Sequence, residues 1–272
     1  MALQVKTTRG LSIYPDVQRE FPEIYGEVYI HGSEPEDQYA HMFVRAACQQ
    51  ARAPEESDLV VFTGGVDVCP ALYGEEAHST TFFLHSQDQD DIEMYKLCLE
   101  KGIPMFGVCR GAQFLHVMNG GKLYQDVDNH MGDHMMYDVV KKEVIRTVSS
   151  VHHQMCIENK EGGMEVLATS SVASVRWKNP DEVISAQGMP DVEAFFYPAT
   201  CCLGVQGHPE YKGYNEFMYW TLDQIMQYIV CNPDVELSED NYRRLKPEVL
   251  ALRKTPPIPT LPLIPSKKKE TT

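Results

Sequence analysis

The sequence predicts an α/β fold in which a mostly parallel central sheet carries helices on both faces and continues into an antiparallel, β-rich extension. Two features of the 272-residue chain lead to this expectation. In the first half, short apolar runs typical of buried strands alternate with segments whose apolar residues recur at helical spacing. In the second half, residues 135–148 and 166–206 contain several short β-rich runs in succession, which favours antiparallel pairing.

The first predicted elements are two strands separated by a helix. Glu27 to Ile30 and Leu59 to Phe62 are the strands, and Glu36 to about Ala51 is the helix between them. A second helix should begin after an acidic cluster, because carboxylates suit the positive end of a helix dipole. The cluster consists of Asp88, Asp90 and Asp91, and the apolar face of this helix of Ile92, Tyr95 and Leu99.

The segment IPMFGVCRGAQFLHVMNGG, residues 103–121, predicts a sharp turn from a strand into a helix. Ile103 to Val108 is a short apolar run that fits a buried strand. A helical period begins at Ala112 and ends at Asn119-Gly120-Gly121, because Asn and Gly tolerate the positive φ of a helix C-terminus. Cys109 therefore falls on the bend between the two elements.

The pattern around Cys109 is G-x-C-x-G, the cysteine form of a nucleophile elbow, with Gly107 and Gly111 on either side. A tight turn needs residues without Cβ at those positions, and it lifts the thiol to the carboxyl edge of the sheet. The N–H groups and the positive dipole end of the following helix favour a thiolate and can also receive an oxyanion. Since a free cysteine is more often a small buried hydrophobe, this interpretation requires a base elsewhere in the chain.

A base is predicted in GVQGHPEY, residues 204–211. His208 follows the end of a strand, Pro209 fixes the local backbone, and the carboxylate of Glu210 can turn back toward the imidazole. In such an arrangement the histidine takes or shares the thiol proton, and the glutamate holds the ring in one tautomer. Cys109, His208 and Glu210 are therefore predicted to form a catalytic triad.

The C-terminal part is expected to differ from the rest. The last clear helix is Tyr214 to Ile229, so we place a catalytic domain at residues 1–232 and a C-terminal extension at residues 233–272. Residues 237–254 predict a charged helix with Ser238 near its N-terminus. The run TPPIPTLPLIP predicts an extended tail. Such a tail can be a recognition ligand, but more commonly it packs along the surface of the domain or across a subunit boundary. The second case is compatible with a homodimer.

Composition and charge exclude several classes of function. A net charge of −15 and a pI near 5.1 disfavour an autonomous nucleic-acid binder, whose phosphate contacts need a basic face. No apolar run approaches the roughly 18 residues that span a membrane, and MALQVKTTRG lacks the apolar core of a secretory signal. The 8 cysteines do not suit a disulfide scaffold in a chain of this length, which favours a reducing, cytoplasmic setting.

The motifs together resemble the class I, or triad, glutamine amidotransferases, and within that superfamily the γ-glutamyl-γ-aminobutyrate hydrolase-like branch, also grouped as C26 peptidases. The resemblance rests on FTGGVDVCPALYGEE (62–76), EKGIPMFGVCRGAQFLHVMNGGKLYQDV (100–127), SSVHHQ (149–154) and the HPE of residues 208–210. These motifs occur in the right order over roughly residues 59–229, which is more specific than any one of them. The resemblance implies a flavodoxin-like fold and acyl chemistry at a γ-glutamyl amide.

The resemblance also implies roles for individual residues. Gly65 and the backbone N–H of Arg110 match the positions that bind the oxyanion. Gln113 matches a position near the amino-acid end of the substrate, and His153 and Gln154 match the loop that lines the γ-glutamyl pocket. From the residues alone, the Gln113 amide could equally cap a helix or face solvent, and the two adjacent histidines could form a hydrogen-bonded structural pair.

Three positions depart from the family pattern. Gln87-Asp88 stands where the family usually has Arg-Asp, so a charged contact is expected to be lost. His116 stands where relatives often carry Asn, and Gly207 replaces the usual aromatic residue before the catalytic histidine. The loss of bulk at Gly207 is expected to widen the pocket beside the base. The core chemistry survives these changes, whereas the substrate of the relatives cannot be assumed.

Metal binding is the main competing chemistry, because several potential ligands fall within one stretch. They are His130, His134, His152, His153 and Cys156. They form no paired C-x-x-C or H-E-x-x-H arrangement, and the adjacent His152 and His153 would point to opposite faces of a strand. The sequence therefore predicts no bound metal. TGGVDV also lacks the spacing and the lysine of a phosphate loop.

The predicted reaction is attack of the Cys109 thiolate on a γ-glutamyl amide, followed by hydrolysis of the thioester, with no organic cofactor. Two enzymes share this half-reaction: a free-standing γ-glutamyl hydrolase, and a glutaminase that supplies ammonia to a separate synthetase. The residues after Ile229 are too few and too rich in proline to bind a nucleotide, which favours the hydrolase. A catalytically silent interaction module is the third interpretation, and the intact triad argues against it.

Overall fold

The structure is a computed structural model of the chain, and it describes residues 24, 26–172, 175–184, 191–232 and 235. The helix expected at residues 237–254 and the proline-rich tail lie outside this part of the chain. Both therefore stay predictions, as does the division of the chain at residue 233.

The described residues form short strands, four α-helices and several single turns of other helix types. The strands are β1 (Gly26–His31), β2 (Cys48–Gln50), β3 (Leu59–Phe62), β4 (Met105–Val108), β5 (Leu123–Tyr124), β6 (Asp126–Val127), β7 (His134–Asp138), β8 (Glu143–Val148), β9 (Met155–Cys156), β10 (Glu165–Ser170), β11 (Arg176–Asn179), β12 (Glu182–Ile184), β13 (Val192–Tyr197) and β14 (Cys202–Val205). The α-helices are α1 (Glu36–Arg45), α2 (His85–Lys101), α3 (Arg110–Met118) and α4 (Asn215–Ile225). The other turns are 3₁₀ helices at Pro54–Glu56, Pro70–Tyr73 and Pro198–Thr200, and a π-helical turn, Met226–Val230, that continues α4.

The main sheet joins a parallel half to an antiparallel half. Its strand order is β2-β1-β3-β4-β14-β13-β10-β7-β8. The first five strands pair in parallel, in the 2-1-3-4-5 order of flavodoxin-like folds. From β14 onward every pairing in this sheet is antiparallel. The predicted fold class, including the antiparallel extension, is therefore confirmed.

Each face of the main sheet carries its own hydrophobic core, because successive side chains of a strand point to opposite faces. On one face, Phe43 of α1 and Trp220 of α4 belong to the same buried cluster as Val61 of β3. On the other face, Tyr95 of α2 and Phe114 of α3 belong to the same cluster as Val60. Each buried aromatic side chain contributes roughly 1.5–3 kcal/mol to stability. Helices thus cover both faces, as the sequence predicted.

The first helix is shorter than predicted, and the end of its predicted range forms a strand. Helix α1 ends at Arg45, and Ala47 adopts a φ of 63°, which reverses the chain. Cys48–Gln50 then pair with Gly26–Val28 as the edge strand β2. Helical spacing in the sequence could not reveal this strand, since three residues are too few to show a period.

The second helix begins earlier than predicted and buries a different set of residues. Helix α2 starts at His85, so the acidic cluster lies inside its first two turns. Asp88 and Asp91 are buried, whereas Leu99, expected on the apolar face, is 46% exposed. Tyr95 is buried as predicted. Asp88 and Asp91 face inward because they pair with an arginine on α3, as described below, whereas Asp90 is exposed.

The parallel half of the sheet positions the candidate site. Because the carboxyl ends of parallel strands meet at one edge, the segments that follow β1, β3, β4 and β14 converge there. Cys109 follows β4 directly, and His208 comes three residues after β14. No helix in the described part of the chain has both the length and the apolar character needed to cross a membrane.

Candidate active site

Cys109 occupies the predicted elbow between β4 and α3 with a strained backbone. Its φ of 51° and ψ of −111° lie outside the regions that residues with a Cβ normally adopt. Two backbone hydrogen bonds hold this conformation: Cys109 N–H donates to the Val205 carbonyl at 2.8 Å, and Gln113 N–H donates to the Cys109 carbonyl at 3.0 Å. The thiol residue is only 9% exposed, so it lies at the edge of the core.

The two glycines of the elbow are required by close backbone approaches. A Cβ on Gly111 would lie 2.1 Å from the carbonyl oxygen of Phe62, and a Cβ on Gly107 would lie 2.5 Å from the amide nitrogen of Ala112. Neither neighbour is a flexible side chain, so neither can move aside without a change in β3 or α3. The two glycines of the G-x-C-x-G pattern are therefore needed for the elbow to pack closely, as the sequence predicted.

His208 lies between Cys109 and Glu210. Its Nδ1 is 2.7 Å from Oε1 of Glu210, and all three residues are at least nine-tenths buried. This contact leaves Nε2 of His208 for the thiol. Burial lowers the pKa of His208, but hydrogen bonds and opposite charge from Cys109 and Glu210 outweigh it and raise the pKa to about 10. The arrangement therefore favours a protonated imidazole at His208 at neutral pH.

Ser149 fixes the backbone of the histidine. The His208 N–H donates to Ser149 Oγ at 2.8 Å, and the same hydroxyl donates to the His208 carbonyl at 2.8 Å. The ring of Tyr211 stacks on the imidazole, with centroids 4.4 Å apart and planes 13° from parallel. Sequence reasoning assigned no role to either residue, although Ser149 lies in the SSVHHQ motif.

Gly207 does not widen the pocket, contrary to the expectation from sequence. A Cβ at this position would lie 2.5 Å from the carbonyl oxygen of Ser149 and 2.9 Å from side-chain atoms of Val148 and Phe217. The space that a larger residue would need is therefore filled by the protein itself. Glycine allows the strand end to approach the Ser149 segment, and so it contributes to the position of His208.

Gly65 lies beside the elbow, where the family resemblance placed it. Its φ is 154°, and a Cβ on this residue would lie 2.5 Å from Nε2 of Gln87 and 3.3 Å from Cδ of Arg110. The loop after β3 and the first residue of α3 are thus in contact. Binding of an oxyanion by the backbone N–H groups of Gly65 and Arg110 stays a prediction.

The side chain of Arg110 is buried in an ion-pair network and is unavailable to a substrate. Its guanidinium donates to Oδ1 of Asp88 at 2.7 Å and to the carboxylate of Asp91. Asp91 also contacts Nε2 of His31 at 2.8 Å. Gln87 instead donates to Ser33 Oγ at 3.2 Å, so the charged contact expected to be lost at position 87 is replaced by a neutral one.

The three predicted pocket residues lie close together, but most of their polar atoms contact the protein. Gln113 is buried, and its Nε2 donates to the Gln154 carbonyl at 3.1 Å. The Gln154 side chain is buried as well, and its Oε1 has no partner among the described residues. His153 contacts Asp67 at 3.0 Å and Asp126 at 3.2 Å, and these carboxylates raise its pKa against the effect of burial. Their binding of a substrate stays a prediction.

His116, the third departure from the family pattern, has a structural environment. It is fully buried on α3, with Nε2 3.0 Å from the Lys122 carbonyl and Nδ1 2.9 Å from the Tyr197 hydroxyl. Burial lowers its pKa to about 4, so it is neutral at physiological pH. It therefore contributes packing and hydrogen bonds to the core and no charge to the site.

Glu34 adds a second carboxylate near the triad, and sequence reasoning did not single it out. One side-chain nitrogen or oxygen atom from each of Glu34, His208 and Glu210 lies within 4.8 Å of the other two. The Tyr39 hydroxyl donates to Glu34 and accepts from Gly64 N–H at 3.0 Å, which links the loop after β1 to the loop after β3. No pattern in the sequence identifies Glu34, because it precedes α1 and reaches the site only through the parallel order of the strands.

Groups of metal-ligating side chains occur at three places in the described residues. One is Glu34 with His208 and Glu210, which are part of the site above, and another is Cys69, His85 and Asp88, where Asp88 already serves Arg110. The third is His130, His152 and Glu193, and all three are buried. His153 and Cys156, which lie in the same stretch of sequence, do not belong to this group.

The fold and the site together define an α/β protein of the nucleophile-elbow type, with a cysteine on the elbow at the carboxyl edge of a flavodoxin-like sheet. Residues 46–210, more than half of the chain, match the family model of peptidase C26. The chain therefore belongs to the peptidase C26 family, within the class I glutamine amidotransferase-like superfamily.

Individual relatives agree with this assignment. The chain is 31% identical over 170 residues to a Mycobacterium tuberculosis protein assigned by name to the glutamine amidotransferases, a match of 56% of this chain and 50% of that protein. It is 29% identical over 100 residues to a γ-glutamyl-CDP-amidate hydrolase of Campylobacter jejuni, a match of 36% of this chain and 44% of that one. The chain thus spans half or less of the length of these two relatives.

A solved structure also resembles this one. It is a glutamine amidotransferase of Thermotoga maritima, 18% identical, with a TM-score of 0.47 over 85% of this chain and 94% of that chain. At this level of similarity the comparison adds nothing to the functional assignment, which rests on the family match and on the site itself.

Proposed function

We propose that this protein is a hydrolase that cleaves a γ-glutamyl amide bond through a glutamyl thioester on Cys109. The arrangement of Cys109, His208 and Glu210 carries the proposal. A strained elbow presents the thiol, Cys109 and Glu210 both raise the pKa of the imidazole, and the Glu210 carboxylate holds the imidazole at 2.7 Å. Cys109, His208 and Glu210 are thus arranged as a nucleophile, a base and a group that orients the base.

In the first half of the reaction, the Cys109 sulfur attacks the amide carbonyl carbon. The carbonyl oxygen becomes an oxyanion and accepts hydrogen bonds from backbone N–H groups at Gly65 and Arg110. His208, protonated on both nitrogens because its pKa is raised to about 10, donates its Nε2 proton to the leaving nitrogen. The carbon–nitrogen bond breaks, and the amine or ammonia leaves while the acyl group stays on sulfur.

In the second half, water replaces the amine. Neutral His208 accepts a proton from the water as its oxygen attacks the thioester carbonyl, and the carbon–sulfur bond then breaks. The products are free glutamate and the starting thiolate–imidazolium pair. Glu210 orients the imidazole and stabilises the imidazolium in both halves. The reaction uses groups of this chain, its small-molecule substrate and one water molecule.

The γ-glutamyl part of the proposal is supported by the C. jejuni relative, whose name specifies hydrolysis of a γ-glutamyl compound. The hydrogen bond from Gln113 on the elbow helix to the Gln154 carbonyl, at 3.1 Å, brings the segment of His153 and Gln154 next to α3 and supports a pocket for the glutamyl group there. We further propose a reducing, cytoplasmic setting, because all eight cysteines lie in the described residues and none is in a disulfide.

A glutaminase that supplies ammonia to a separate synthetase is the second candidate. It is favoured by the M. tuberculosis relative, which is named as an amidotransferase. Both candidates share the glutamyl thioester, and they differ in whether glutamine is the substrate and whether a partner is needed.

Purified protein can distinguish these candidates. The experiment measures glutamate release from glutamine and from a panel of γ-glutamyl amines, with the Cys109→Ala variant as the control. Release from γ-glutamyl amines by the isolated wild type supports the hydrolase. Release from glutamine only after addition of a cellular extract supports the glutaminase, and no release under either condition supports a catalytically silent module.

A further inference from the structure

A second group of buried polar side chains lies outside the triad, on the antiparallel half of the sheet. Its central members come from three separate segments: His130 from the loop after β6, His152 from the loop after β8, and Glu193 from β13. Their exposed fractions are 0%, 3% and 1%. The rings of His130 and His152 stack with centroids 4.8 Å apart, so the group is compact.

Each of these three residues has one buried polar atom without a hydrogen-bond partner among the described residues. The atoms are His130 Nδ1, His152 Nε2 and Glu193 Oε2. The nearest approach for His130 Nδ1 is Oε1 of Glu193 at 3.4 Å. Metal-ligating atoms of the three residues lie within 4.8 Å of one another. A buried polar atom without a partner costs about 1–3 kcal/mol, so three in one place call for an occupant.

The second nitrogen of each histidine is held by an acceptor. Nε2 of His130 is 3.1 Å from Oδ2 of Asp191, and Nδ1 of His152 is 3.1 Å from the carbonyl oxygen of Gln154. Each acceptor fixes the proton on that nitrogen, which leaves the other nitrogen with its lone pair facing the group. Metal-binding histidines in proteins are oriented in this way, by a carboxylate or a backbone carbonyl on the far nitrogen.

The carboxylates of the group are held as well. Oε1 of Glu193 accepts from Nε2 of His134 at 2.8 Å and is also 3.4 Å from Nδ1 of His130, while Oε2 is buried without a partner among the described residues. Oδ1 of Asp191 accepts from Nε of Arg176 at 2.6 Å. The positive charges of Arg176 and of a protonated His134 can balance the two carboxylates, so the group does not need a cation for charge alone.

We propose that His130, His152 and Glu193 bind one zinc ion through their three buried atoms that have no partner among the described residues. Two imidazole nitrogens and a carboxylate oxygen are a donor set that zinc accepts, with a water or a further protein ligand in the fourth position. Every proposed ligand has an outer partner that orients it. The alternative occupant is an ordered water, which also satisfies two to four buried polar atoms but adds no metal to the protein.

This site would support the triad and take no part in the reaction. His152 lies in the same short segment as Ser149, whose hydroxyl holds both backbone groups of His208. A metal that links this segment to β13 would hold Ser149 in place and so help to position His208. The sequence predicted no metal because none of the spacings is that of a paired motif, and the ligands meet only through the strand order β13-β10-β7-β8.

The adjacent histidines provide a matched pair of variants for the test. Because the site is enclosed, the full chain, without a histidine tag, is unfolded and then refolded in the presence of zinc. A chelator column then removes zinc that is not held in a site. Elemental analysis should find about one zinc ion per chain in the wild type and in His153→Asn. It should find much less zinc per chain in His152→Asn. Asp191→Asn, which keeps all three ligands, should bind zinc about 10–100-fold more weakly than the wild type.

A second measurement covers the case in which His152→Asn does not fold. Wild-type protein refolded with cobalt should show the visible absorption of a tetrahedral site without a thiolate-to-cobalt charge-transfer band, since no cysteine is a proposed ligand. Wild-type protein that retains no metal, equal loss of zinc in the His152 and His153 variants, or a cobalt spectrum with thiolate bands would each overturn the proposal.

Discussion

Two residues of the proposed triad, Cys109 and His208, depend on a neighbour from another element. Val205 of β14 accepts a hydrogen bond from the strained Cys109, and Ser149 holds the backbone of His208 from the end of β8. Glu210 meets the imidazole with Oε1, while its buried Oε2 has no partner in the described part of the chain. The site is therefore pre-formed by long-range contacts, which is what a positioned nucleophile and base require.

The first prediction concerns the order of damage within the triad. His208→Ala removes the proton donor for the leaving amine, so kcat should fall by about 10²–10⁴-fold or more. Glu210→Gln keeps a hydrogen-bonding side chain but removes the charge that helps to raise the pKa of His208. For Glu210→Gln we therefore expect a smaller loss of kcat than for His208→Ala. The alkaline limb of its pH–rate profile should move to lower pH, because the imidazolium of His208 then loses its proton more readily. Rates of glutamate release against pH measure both effects.

A chemical probe separates the roles further. Alkylation of Cys109 by iodoacetamide should persist in His208→Ala while turnover is lost, because a helix N-terminus still favours the thiolate but nothing protonates the leaving group. Normal turnover by His208→Ala, or a Glu210→Gln variant as inactive as Cys109→Ala, would show that these roles are wrong.

The second prediction concerns Ser149. Ser149→Ala removes two hydrogen bonds to the backbone of His208 and should lower kcat by about tenfold, which corresponds to 1.4 kcal/mol, with little change in KM. Ser150→Ala is the matched control, since its buried hydroxyl also donates to a backbone carbonyl, that of His130, at 2.6 Å. Both variants should lose about 1 kcal/mol of stability or more in denaturant unfolding. Equal loss of kcat in the two would mean that Ser149 has only a structural role.

Among the elements, the elbow was the easiest to predict from sequence. A short apolar strand, a residue between two glycines and a helix ended by Asn-Gly are all local signals, and β4 and α3 form where they were expected. The ion pairs of Arg110 with Asp88 and Asp91 could not be predicted, because they join α2 to α3 across the face of the sheet. The acidic residues suggested a helix that begins after them, whereas α2 begins at His85 and includes them.

The third prediction tests the packing of the elbow. Gly111→Ala would place a methyl group 2.1 Å from the Phe62 carbonyl oxygen, so the free energy of unfolding should fall by about 3 kcal/mol or more. Gly132→Ala is the control, because a Cβ there meets nothing within 4 Å and its stability should change by about 0.5 kcal/mol or less. Denaturant unfolding of both variants gives the comparison. A Gly111→Ala protein of normal stability would show that α3 does not pack against β3 as described.

At the scale of the whole molecule, the strand order decides which residues meet. The triad, Gly65 and Glu34 come together because β1, β3, β4 and β14 are parallel neighbours. The alternation of strands and helices predicted the fold class, but not the register or the order of the later strands, and so not the group around Glu193. Spacing within one segment predicts a site only when its residues are close in sequence, as His208 and Glu210 are.

The fourth prediction concerns the C-terminal extension. Every contact of the triad described above is made by residues between 31 and 211, so a chain that ends after residue 235 should keep its glutamate release within about twofold of the full chain. Circular dichroism and gel filtration establish that the shortened chain is folded and monodisperse. A folded but inactive product would mean that the extension helps to build the pocket.

The most direct test of the central claim is to isolate the acyl intermediate. The wild type is mixed with a γ-glutamyl anilide, quenched in acid during turnover, digested and analysed by mass spectrometry. We expect a glutamyl adduct on the peptide that contains Cys109, formed together with a burst of released aniline, and neither adduct nor burst in Cys109→Ala. An adduct on a different residue, or turnover of the anilide by Cys109→Ala at the wild-type rate, would contradict the account.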